Sequence, residues 1–170
     1  MEKQAPIHDR LILGRYMLLA LCWISLACAS CRAQADHTIT VLMLDSQSGK
    51  PITTSELQIW TGESLASAKT GGISPHYIKP GADDTAEETF RPGSNVFTVH
   101  AQYGPASWGY VNCDRVKDRG AFRKHWYSID EALSSGIAAP NLCSKQKAVA
   151  KPGQFVFFVR PMTSREKFRQ

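Results

Sequence analysis

Beyond residue 35 the apolar residues of this chain come in short runs rich in β-branched and aromatic side chains, each ended by glycine, proline or a polar cluster. Runs of that length and spacing predict strands joined by turns rather than a layer of long helices. Thr38 to Leu44 is the clearest, with Ile39, Val41 and Met43 on one face and Thr40, Leu42 and Leu44 on the other, so both faces are expected to be at least partly buried. Asp45 to Pro51 concentrates turn formers, and Leu57 and Ile59 then alternate with Glu56 and Gln58 up to Trp60, as a half-exposed strand requires.

From Thr61 to Pro92 the pattern dissolves into Gly, Ser, Thr, Ala and acidic residues. Alternation returns at Val96 to Ala101, with an extension at Trp108 to Asn112, and Asp114 to Lys124 reads as a charged, solvated stretch. Ser128 and Glu131 stand at capping-box spacing and predict a short helix ending near Gly136. Gln154 to Arg160, QFVFFVR, follows Pro152-Gly153 and reads as a core strand stopped by Pro161. The remaining residues, 163–170, form a polar basic tail expected to fray or lie on the surface. The expected architecture is an all-β, antiparallel β-sandwich over residues 36–162 with one short helix near 128–136.

Residues 1–35 are read as a leader outside that body. Tyr16 to Ala29 carries no charge, follows Arg10 and Arg15, and precedes Ala33-Gln34-Ala35, the basic, apolar, small-residue order of a secretory signal helix. The charge-free stretch 16–31 is shorter than the roughly 20 residues a spanning helix needs. Cleavage is expected between Ala35 and Asp36. The alternative is acylation of Cys28 or Cys31, which would tether the same body to a membrane. Removing the leader takes Lys3, Arg10, Arg15 and Arg32 together with Glu2 and Asp9 from a formal charge of +5. So small a remaining surplus does not suggest a nucleic-acid surface, which concentrates basic side chains on one face.

Cleavage also removes Cys22, Cys28 and Cys31, leaving Cys113 and Cys143 in the mature chain. An even number of cysteines in an oxidising compartment predicts a Cys113–Cys143 disulfide. His76, His100 and His125 do not sit at ligand spacing with either cysteine, so no metal site is expected.

The stretch Val41 to Ile59, with an apolar strand ending in Asp45, the Ser48-Gly49-x-Pro51-Ile52 turn and the Leu57-x-Ile59 strand, resembles the opening of carboxypeptidase regulatory-like domains. That resemblance implies a transthyretin-like (prealbumin-like) sandwich. Within the same superfamily, hydroxyisourate hydrolases end in Tyr-Arg-Gly-Ser, whereas this chain ends Lys167-Phe168-Arg169-Gln170, so their activity is not carried over.

The chain has no Gly-x-Ser-x-Gly, no His-Glu-x-x-His and no phosphate-cradling glycine loop, and the expectation is a protein that is not an enzyme and needs no cofactor. Asp83-Asp84 with Glu87-Glu88 reads as a solvated acidic loop, and His125-Trp126-Tyr127 as aromatics packing ahead of the helix. The leading functional reading is a secreted or periplasmic module that offers its sandwich surface to a protein or envelope partner. The alternative is carbohydrate binding by flat aromatic faces, with Trp60, Trp108 and Trp126 as the principal candidates and Tyr103 and Tyr110 beside them.

Overall fold

The computed structural model describes residues 36–70, 75–102, 109–114 and 125–167. The expected leader, residues 1–35, lies outside the described residues, while Asp36 is exposed and the first strand begins immediately after it. In chain order the elements are β1 (His37–Asp45), β2 (Glu56–Gly62), α1 (Leu65–Thr70), β3 (His76–Ile78), β4 (Ala86–Phe90), β5 (Val96–Gln102), β6 (Tyr110–Asn112), β7 (Tyr127–Ser128), α2 (Ile129–Ser134), β8 (Ile137–Ala138), β9 (Gln154–Pro161) and α3 (Ser164–Lys167).

The strands form two sheets. One is five-stranded, in the order β4-β1-β9-β6 with β8 also pairing β9, and the other is four-stranded, in the order β3-β2-β5-β7. Ile39, Val41 and Met43 of β1 and Phe155, Phe157 and Val159 of β9 meet Leu57, Ile59, Phe97 and Val99 of the second sheet in one buried cluster, so the sheets face each other as a sandwich. Phe97 is fully buried at its centre, with ring centroids 5.3 Å from Phe90, 5.0 Å from Phe155 and 6.0 Å from Tyr127.

The expected antiparallel arrangement is corrected in the five-stranded sheet, which is mixed. β1 runs parallel to β9, from Thr40 opposite Gln154 to Asp45 opposite Val159, and β8 also runs parallel to β9. The reason lies in the composition of these strands, because a strand buried on both faces reads as a continuous apolar run, and that is the environment in which parallel pairs occur. Both TITVLML and QFVFFVR are such runs.

At the end of β1 the turn forms where expected. Asp45 Oδ1 accepts hydrogen bonds from the amides of Gln47 and Ser48 and from Ser48 Oγ, which hold its carboxyl below the usual range. Gly49 takes φ +69°, a left-handed conformation that closes the turn. The two flanking strands do not pair, however. Pro51 has no amide to donate, the ladder back to β1 shrinks to one bridge between Leu44 and Pro51, and β2 enters the other sheet.

The weakly patterned region 61–92 contains α1, β3 and β4. The acidic segment is not wholly a solvated loop, because Glu88 lies on the inward face of β4 between Ala86 and Phe90 and is 4% exposed. Its carboxylate is 2.9 Å from Nδ1 of His76 on β3, so the pair joins an edge strand of one sheet to an edge strand of the other. Burial raises the Glu88 carboxyl above its usual range, and the His76 hydrogen bond only partly offsets this. A raised folded-state value favours the protonated acid, so that contribution is complete below about pH 4.5 and is lost as pH rises. Glu88→Gln is therefore expected to gain stability relative to the parent as pH goes from 4.5 to 8, by on the order of 1 kcal/mol. Chemical denaturation at several pH values reads this difference, and a gap that narrows as pH rises contradicts it.

The predicted helix near 128–136 is α2. Ser128 is its N-cap and accepts the Glu131 amide, while Gly136, at φ +76°, donates to the carbonyls of Glu131 and Ala132. Space also demands glycine here, since a Cβ would lie 2.2 Å from the Lys151 carbonyl oxygen. Asp114, expected in a solvated stretch, is buried and accepts a 2.7 Å hydrogen bond from the Tyr127 hydroxyl.

Of the two expectations for the tail, residues 163–167 take the second, lying on the surface as α3. Thr163 and Glu166 form a full capping box for α3, with the Thr163 amide 2.8 Å from Glu166 Oε2 and the Glu166 amide donating to Thr163 Oγ1. Arg160 at the end of β9 grips the same carboxylate with both terminal nitrogens, at 2.8 and 2.6 Å, and pulls it down to about 2. A depressed carboxyl stabilises the fold above about pH 4.5 and loses that contribution as pH falls toward 2. Glu166→Gln should cost about 1 kcal/mol at pH 7, a charged hydrogen bond discounted for partial exposure, and nothing at pH 2. Thermal melts at the two pH values test this, and an equal cost at both contradicts it.

Candidate functional site

Two surfaces concentrate the features singled out in the sequence. The first is the outer face of the five-stranded sheet. Leu42 and Leu44 of β1 and Val156 and Phe158 of β9 point away from the main core, and Leu44, Val156 and Phe158 are nevertheless buried. Residues 139–150 cover them as a strap, and Cys143, Ala148 and Ala150 pack against this second apolar cluster.

The strap is held at several points. Ala139 donates its amide to the Val156 carbonyl, and Leu142 to that of Cys113, which itself donates to Phe158. The predicted disulfide is present, joining Cys113 after β6 to Cys143 in the strap with their Cα atoms 5.3 Å apart. Asn141 Nδ2 donates to the carbonyls of Ser46 and Gln146 at 3.0 and 3.2 Å, and its Oδ1 accepts the amides of Cys143 and Ser144. The Ser144 hydroxyl donates to the Ser46 carbonyl as well. The crosslink thus fastens a polar, turn-rich segment to the end of β6, while Asn141 and Ser144 tie the same segment to Ser46 of the β1 turn, a placement that disulfide arithmetic alone does not disclose.

Between this strap and the sheet lies an open groove of about 570 Å³. Phe158, Ala148 and Pro140 contribute apolar lining, and Lys145, Gln146 and Lys147 the polar part. Lys145 and Lys147 make no ion pair among the described residues, and both are exposed. The groove lining holds no Asp or Glu, and none occurs in the sequence from Ala132 to Arg165, whereas that stretch holds Lys145, Lys147, Lys151, Arg160 and Arg165. The run without acids is visible in the sequence, but its significance emerges only when the fold wraps it over an apolar floor.

The second surface is the outer face of the four-stranded sheet. Gln58 of β2 lies between Tyr77 of β3 and His100 of β5, and its amide donates to the Tyr77 hydroxyl at 3.0 Å. Trp60 opposes Thr98 and meets His100 edge-on with centroids 4.9 Å apart. The β5–β7 pairing ends with Phe97 opposite Tyr127, and Trp126 is the residue just before β7. Thr98 of the central strand, opposite Trp60, is fully buried. Trp60 and Trp126 are half-buried, and Tyr77 is 50% exposed. Trp108 and Tyr103 lie outside the described residues, and Tyr110 packs against the main core instead of serving a binding face. His125 stacks on the buried Tyr127 ring at 4.7 Å, as expected for aromatics packing before a helix.

Among the described residues, no group of three or more His, Cys, Asp or Glu side chains is arranged to hold a metal ion, and no helix is long and apolar enough to cross a membrane. No protein-family model, curated protein or solved structure matches this chain.

Proposed function

We propose that the chain is an exported, non-enzymatic β-sandwich module that works by holding a component of the cell envelope, in the periplasm or outside the cell. The observation that carries this reading is the disulfide-fastened strap, which frames a cationic, apolar-floored groove on one sheet. A crosslink of this kind suits an oxidising compartment. A braced groove also suits binding, because a site held rigid before its ligand arrives loses less entropy on association. The leader-like residues 1–35 supply the route of export, with cleavage between Ala35 and Asp36. The transthyretin-like assignment rests on the Val41–Ile59 resemblance, and two facing sheets are in keeping with it.

The test is fractionation of native cells combined with cross-linking of the exported protein. Retention of the oxidised chain with one envelope component supports the reading. A chain recovered only free, or a turnover abolished by changing a single His or Ser, overturns it.

A second reading, glycan binding at the other sheet, is favoured by the aromatic side chains on its outer face, where Tyr77 is 50% exposed and Trp60 half-buried. Sugar rings stack on flat aromatic faces of this kind. Tryptophan fluorescence that shifts on addition of an oligosaccharide, and no longer does so in Trp60→Ala, supports it. A glycan array with no bound member eliminates it.

A further inference from the structure

We infer that the strap groove is a binding site for an amphiphilic anion, a carboxylate or phosphate carried on an apolar body. The inference deepens the envelope-binding reading and rests on it. It starts from the chemistry of the groove walls. The apolar lining is offered by Ala138, Pro140 and Ala148 above the buried Phe158, and the groove is large enough for a small molecule, since ligand sites commonly span about 300–1,000 Å³. The polar lining, in contrast, is cationic. Lys145 and Lys147 line the groove, stand two residues apart, and have no carboxylate partner among the described residues.

The other polar groups of the strap are already engaged. Asn141 spends its amide and carbonyl on Ser46, Gln146, Cys143 and Ser144, and the Ser144 hydroxyl is taken by Ser46. These groups set the shape of the groove, which leaves the two ammonium groups and the Gln146 side chain as its donors. A neutral sugar would make no use of paired ammonium groups. A polynucleotide would need a longer basic track than two lysines provide. One negative headgroup placed between the lysines, with its apolar portion against Pro140 and Ala148, satisfies both halves of the lining. The groove lining contains no carboxylate, so no lining side chain competes for either ammonium.

The experiment titrates the exported, oxidised protein with decanoate, decyl phosphate, decanol and inorganic phosphate, each below its aggregation threshold, with binding read by calorimetry. Decanoate and decyl phosphate are expected to bind, and decanol and inorganic phosphate at least tenfold more weakly. The tighter of the two anions identifies the source, a free acyl anion or a lipid phosphate. The Lys145→Ala/Lys147→Ala double variant, whose changes fall on exposed side chains, should melt like the parent and lose at least tenfold in affinity for both anions. Equal binding of decanol and decanoate, or unchanged affinity in the double variant, overturns the inference. If no anion binds while parent and double variant both still fractionate with the envelope, the groove assignment fails and the module reading stands. If neither variant is retained by the envelope but decanoate binds as expected, the groove assignment holds and the module reading fails.

Discussion

Replacing Cys113 and Cys143 together by alanine lowers the unfolding free energy by roughly 3 to 4 kcal/mol. The figure follows from the sequence separation of 30 between the two cysteines, through the chain entropy that a loop of that length regains in the unfolded state once the crosslink is gone. It is a large fraction of the roughly 5 to 15 kcal/mol that holds a typical domain together. The native state changes as well. Without the bond, residues 139–150 keep the Ala139–Val156 and Leu142–Cys113 backbone bonds and the Asn141 contacts, but lose their covalent tie to the sheet. Leu44, Val156 and Phe158 are then covered only by non-covalent packing, so dye binding to exposed apolar surface should rise before global unfolding. Denaturant melts and amide exchange measure the two effects separately. A variant whose midpoint matches the parent, with the strap amides equally protected, would show that the crosslink contributes little.

The second large effect belongs to the main core. Phe97→Ala is expected to cost about 3 to 5 kcal/mol, the usual loss when a buried phenylalanine is cut back and leaves a cavity. The site has little means of collapsing around the void. Phe97 is fully buried, and the rings of Phe90, Phe155 and Tyr127 that surround it are fixed on β4, β9 and β7, three strands distributed over both sheets. Phe97→Leu, which retains most of the volume, should cost under half as much. Equal losses for the two variants in a urea titration would mean that volume at this position is not what holds the sheets together.

These two positions differ in how much the sequence discloses about them. The strand of Phe97 is legible because Phe97, Val99 and Ala101 alternate with Val96, Thr98 and His100, and a period of two has only one inward face. The same logic reveals β1, β2 and β9, and the Ser128–Glu131 spacing reveals α2. What periodicity does not carry is partner choice. Nothing local tells β1 to run parallel to β9 across more than a hundred residues, although burial on both faces of each run is the clue. Short elements such as β3 and β4 escape notice because three to five residues hold too few repeats of a period, and because Glu88 breaks the apolar pattern on an inward position. The Thr163–Glu166 capping box was readable from its spacing, yet its polar, basic surroundings resemble a frayed end until Arg160 is seen to clamp Glu166.

The candidate site divides in the same way. The disulfide follows from counting the cysteines that remain if residues 1–35 are removed as an export signal, and it is present. The tryptophans could be named from composition, but only the register of β2 and β5 sets Trp60 beside Thr98 and His100 on the outer face. The groove was invisible, because its lining comes from residues 138–148, a segment that reads as an unpatterned, polar loop until it is laid over Phe158 of β9. Lysines in such a loop are ordinarily solvated side chains with no further role. Only the tertiary arrangement sets them above an apolar floor with no acid nearby.

The account depends on an exported body that folds in an oxidising space and is braced there by one crosslink. Intact-mass and N-terminal analysis of the protein taken from its native envelope, with thiols trapped at the moment of lysis, tests that dependence most directly. The expected species begins at Asp36 and carries Cys113 and Cys143 joined, with no thiol available to the trap. A chain that retains residues 1–35, one that starts at an acylated Cys28 or Cys31, or one in which both thiols are captured would contradict it.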